Sequence, residues 1–135
     1  MRTRACDRTA AVGRLSKAEQ FLEQAELLHE LTADPADVGD AYVSLCVLAG
    51  IAAADAICCD ALGRHAQGES HNDAVNLLKT VRPGGPDLGN ALGVLLGFKT
   101  RASYSPEPAS AEMRKRSGRQ ASKLVSAARE RVARA

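Results

Sequence analysis

The sequence predicts an all-α protein, an up-and-down bundle of four or five helices. Apolar residues recur at i, i+3 and i+4 in long stretches. Pro, Gly and Asp clusters punctuate those stretches, and no alternating strand pattern lies between them. The apolar content is mostly Ala, Leu and Val, with two Phe, two Tyr and no Trp, which suits thin helices that pack closely. At 135 residues the chain has the length of one ordinary domain and can bury a core without metals or disulfides.

Residues 1–15 read as a basic, disordered lead-in, and 16–134 as a single helical bundle. Ser16 with Glu19 three residues on is a capping-box pattern that opens a first helix. Its apolar positions are Phe21, Leu22, Ala25, Leu28 and Leu31. Asp34 then caps a second helix with Pro35 in its first position. That helix runs to about Leu62, with Gly63 past its end. Gly50 and the Ala residues between 49 and 56 leave its surface flat, so a neighbour can approach closely. Ser70 or His71 opens a short helix to Val81. Pro83-Gly84-Gly85-Pro86 is a turn. A fourth helix spans about Asp87 to Tyr104, and Ser110 caps a fifth that reaches about Arg131.

The basic N-terminus has no apolar segment behind it of the kind a secretory signal has, and no apolar run reaches membrane-spanning length. The expectation is a cytoplasmic protein that does not engage a membrane. Cys6, Cys46, Cys58 and Cys59 accordingly read as reduced, small buried hydrophobes. Cys58, Cys59, His65 and His71 match no zinc spacing, so neither a metal nor a cofactor is expected. No phosphate loop, dinucleotide fingerprint, nucleophilic triad or paired catalytic carboxylates occur.

The net charge of +2 hides an uneven distribution. Residues 18–100 carry four basic side chains against twelve acidic ones, whereas 101–135 carry nine against three. Arg114, Lys115, Arg116, Arg119 and Lys123 would bind phosphate if they shared a groove. Alternatively they form a solvated face and pair with the acidic first helix. Asp55 interrupts an apolar stretch and needs a cation if buried. Lys99, Arg101 and Arg64 are the candidates for that partner, and an exposed position is the other reading. Lys99, Arg101 and Tyr104, late in the fourth helix, are the residues that would hold a phosphate and stack a base. Otherwise Tyr104 packs the helix end and Lys99 snorkels. Arg64 and His71, with six residues between them, pair a basic side chain with an imidazole. His71 also reads as a cap, and His29 suits the end of the first helix.

Three stretches together resemble the HEPN superfamily of helical bundles. They are Ala49–Ile57, the Gly63-Arg64-His65 segment leading through Ser70-His71 to Leu78, and Leu95–Pro106. The resemblance covers about residues 16–130 and implies a bundle that forms homodimers. Active members are metal-independent ribonucleases with an Arg, four to six residues and a His late in the fourth helix. Others bind RNA or serve as partner subunits, for example beside nucleotidyltransferases, and toxin–antitoxin pairs also use the fold.

Here the matching positions are Lys99, Thr100 and Tyr104. A Lys is a point charge rather than a fork for phosphate. A Tyr hydroxyl, titrating at about 10, is a poor proton carrier at neutral pH. The expectation is therefore a homodimer that binds RNA, a nucleotide or a partner protein, without the family's ordinary nuclease activity. The catalytic candidates are Arg64, His71 and Tyr104, and the phosphate-binding candidates are Lys99, Arg101, Tyr104 and Asp55. The alternatives are a metal-independent ribonuclease of toxin or defence type, and a purely structural interaction subunit.

Overall fold

The computed structural model describes residues 1–68 and 70–134. It is an all-α helical bundle with a small two-stranded sheet at one end. Strand β1 is Thr3–Ala5, and helix α1 is Arg8–Leu31. A 3-10 turn, Pro35–Val38, leads into α2, Gly39–Leu62. Strand β2 is Arg64–Ala66, followed by α3 (His71–Lys79), α4 (Gly85–Tyr104) and α5 (Ala111–Arg134).

The first helix begins eight residues before the expected Ser16. Its cap is Asp7, whose carboxylate accepts the Ala10 amide at 2.9 Å. Ala11 is fully buried, so the early turns of α1 belong to the core and not to a lead-in. Asp34 caps as expected, but what it caps is the short 3-10 turn, and α2 proper starts at Gly39. Gly63 ends α2 with φ 71°, a left-handed conformation open to glycine at little cost. Ser70 caps α3 through the Asp73 amide, and Ser110 accepts the Met113 amide at the start of α5.

The strand pair was not legible in the sequence. Thr3 faces Ala66 and Ala5 faces Arg64 in antiparallel register. The Cys6 amide donates to the Gly63 carbonyl at 2.9 Å, which sets Cys6 against the end of α2. There it forms a disulfide with Cys59, Cα to Cα 5.4 Å. Reduced thiols were expected at both positions. A pairing across 53 residues depends on a strand pair whose strands are three residues long, too short to show a period. Cys46 and Cys58 are buried free thiols, and burial pushes both up to about 12.

Helix α2 is the centre of the molecule and packs on α1, α4 and α5. By length and apolar composition alone, Pro35–Leu62 is long enough to cross a membrane, and an 18-residue window within it has a mean hydropathy of 2.0. The expectation from uninterrupted run length missed this, because isolated Asp residues break the run without lowering the average much. In the structure its apolar side chains form the core of the bundle. Gly50 explains how close the neighbours come: a Cβ there would collide with Leu95 of α4, and Leu124 of α5 lies 3.4 Å from the same point.

Candidate functional site

A cavity of about 200 Å³ opens between α2, α3 and α4, beside β2. Its apolar wall is Ile51 and Ala54 from α2 with Leu92 and Leu96 from α4. Asp55, Ser70, His71 and Lys99 bring polar groups to it from three helices. The helical period places them there. Asp55 lies four residues beyond Ile51, and Lys99 lies three beyond Leu96, so each follows its wall residue along the same helix face. His71 occupies the first turn of α3, at the positive end of that helix dipole. Ser70 is already engaged as the cap.

Three of the residues singled out from sequence are thus brought together: Asp55, His71 and Lys99. The others lie elsewhere. Arg101 pairs with Glu107 at 3.4 Å and donates to the Pro108 carbonyl, which ties the turn after α4 back to the helix. Tyr104 ends α4 with three quarters of its surface exposed. Arg64 is exposed on β2 and does not line the cavity, so it forms no site with His71 there.

Asp55 is half-buried and has a cation partner, but not one of those expected. Arg14 of α1 reaches it at 3.7 Å. Arg14 lies in the segment read as a lead-in, which is why it was missed. Burial raises the Asp55 carboxyl above the usual carboxylate range, while the His65 ring and Arg14 pull the other way. The His65 ring is oriented by its Nδ1, 2.9 Å from the Ala66 carbonyl. A carbonyl only accepts, so in this contact Nδ1 carries the hydrogen. Lys99 is half-buried and makes no ion pair among the described residues.

The basic residues of α5 divide between the two readings. Arg129 pairs with Glu19 of α1 at 2.9 Å, as the paired reading requires. Arg114, Lys115, Arg116, Arg119 and Lys123 make no ion pair among the described residues. Arg116 instead stands over the Phe98 ring, 5.4 Å from its centre. His29 meets Tyr42 ring to ring at 5.0 Å and does not line the cavity. Among the described residues, no group of three or more His, Cys, Asp or Glu could hold a metal ion.

No family model matches the chain, and no curated protein matches it in sequence.

Proposed function

We propose that this chain is a HEPN-like binding module that takes a nucleotide, free or as the end of an RNA, into the cavity between α2, α3 and α4. The observation that carries this reading is the convergence of Asp55, His71 and Lys99 on one mostly apolar cavity. Small-molecule sites have this character, apolar walls with a few placed polar groups. Ile51, Leu92 and Leu96 offer a surface for a flat base. Lys99 supplies an unpaired positive charge, and the first turn of α3 with His71 adds to it, so a phosphate is favoured at that end. Asp55 accepts hydrogen bonds from an amino group or a ribose hydroxyl.

The test is calorimetric titration with nucleoside monophosphates at low salt. Wild-type protein is expected to bind saturably. Lys99→Ala should weaken binding about tenfold, the effect of losing one charge-assisted contact. Absence of binding by the wild type, or equal affinity in Lys99→Ala, contradicts the reading. Homodimerisation is part of the same proposal, and sedimentation equilibrium tests it.

A second reading, metal-independent ribonuclease, has one observation in its favour. His71 is an imidazole beside a lysine at the same cavity, a pairing suited to proton transfer next to a phosphate. Cleavage of RNA in EDTA that is lost in His71→Ala would establish it.

A further inference from the structure

A second concavity lies on the other side of Asp55. The β1–β2 strand pair and the first turns of α1 border an open groove of about 640 Å³. Arg4, Arg14 and His65 line it, together with Asp7. We propose that this groove binds a phosphoryl oxyanion on Arg4, Arg14 and His65, and that Arg14 is shared between that anion and Asp55.

Arg4 is exposed on β1 and makes no ion pair among the described residues. Arg14 touches Asp55 through Nη1 only, at 3.7 Å, and keeps 41% of its side chain exposed. One contact at that distance leaves the rest of the guanidinium fork free to bind a second group. With Nδ1–H held by the Ala66 carbonyl, Nε2 is the ring nitrogen left to meet a ligand, and in the neutral ring it accepts from a protonated phosphoryl oxygen. Asp7 is the one adverse charge lining the groove, and its carboxylate is turned to the Ala10 amide as the α1 cap. The neighbouring Arg2 and Arg64 add to the positive field of the strand pair.

The connection to the cavity follows from Asp55. It lines the cavity, while its partner Arg14 lines the groove. An anion in the groove competes with Asp55 for the same guanidinium. The anion site itself does not depend on the nucleotide reading; only the consequence for the cavity does.

The experiment is titration of pyrophosphate into the full chain, with a 5′-phosphorylated dinucleotide as a second probe. Arg4→Ala and His65→Gln are each expected to weaken pyrophosphate binding about fivefold, as loss of one hydrogen-bonded contact does. Arg4 is exposed, so its substitution leaves the core intact. Lys115→Ala, at an exposed residue of α5 that lines neither the groove nor the cavity, should leave pyrophosphate binding unchanged. Asp55→Asn should tighten it by releasing Arg14. A dinucleotide that binds more tightly than pyrophosphate identifies a nucleotide-borne phosphoryl group, and equal affinity identifies the free anion. No saturable binding, or binding lost in Lys115→Ala and retained in Arg4→Ala, overturns the site. Weaker or unchanged binding in Asp55→Asn overturns the sharing of Arg14.

Discussion

Along α2 the neighbours change halfway. From Val43 to Gly50 the helix presents buried Val43, Cys46, Val47, Ala49 and Gly50 to the surrounding helices, with no charged group among them. Tyr42 sits so close to α5 that a Cβ on Gly118 would collide with its hydroxyl. Burial and its Cys46 neighbour push the Tyr42 phenol up to about 12. From Ile51 to Leu62 the same helix still buries Ile57 and Cys58, but it is also tied by Cys59 to the segment beside β1 and borders the cavity. One half is packed to closure. The other has a charge, a covalent tie and open space. The difference shows how one carboxylate in an apolar helix marks where packing gives way to a site: it needs a cation, and the cation comes from a segment that also lines a groove.

The covalent tie is the first way to break this contrast. Replacing Cys6 and Cys59 by Ser removes a cross-link spanning 53 residues and should cost about 4 kcal/mol in the chain-entropy picture. Urea unfolding measures it, and the amides of the β1–β2 pair should lose exchange protection before those of Val43 and Cys46. The closed half is the next target. Gly50→Val sets a branched side chain against Leu95 and Leu124 and should destabilise by about 1–3 kcal/mol, read from the same transition.

Asp55 sharpens the contrast through pH. Its carboxyl is raised in the folded state, so the folded protein holds that proton to higher pH than the unfolded chain does. Stability from this group is therefore greatest where Asp55 is protonated, and falls as pH rises from the unfolded value through the raised folded one. Asp55→Asn cannot ionise. Its stability relative to wild type should grow as pH rises through that window and level off above it. Thermal unfolding of both proteins across the acid range shows the sign. A relative gain by the wild type would mean that Arg14 and His65 outweigh burial. The smallest effect is expected at Lys99, which makes no ion pair: Lys99→Ala should change stability by less than about 0.5 kcal/mol.

The helices of the bundle were legible because they are long and their stops are chemical: Asp34-Pro35, Gly63, Ser70 and Ser110 act as punctuation in both sequence and structure. Close approach at Gly50 followed from residue size. Asp55, His71 and Lys99 each stood out by type and position. The strand pair did not, since its two three-residue strands are separated by about sixty residues of helix and turns. The disulfide and the Arg14–Asp55 pair depend on it or on the early start of α1, so they were hidden with it. Ser16 looked like a cap because Glu19 follows it, yet Asp7 caps first and the helix passes through Ser16, which instead accepts a hydrogen bond from Gln20.

The most direct measurement is the amide shift map of the labelled protein on addition of a nucleoside monophosphate. Shifts centred on Ile51, Asp55, His71 and Lys99, with Cys46 and Val125 unmoved, are the predicted result. Shifts centred on Lys115, Arg119 and Lys123 of α5 would contradict it and move nucleotide recognition to the basic outer face.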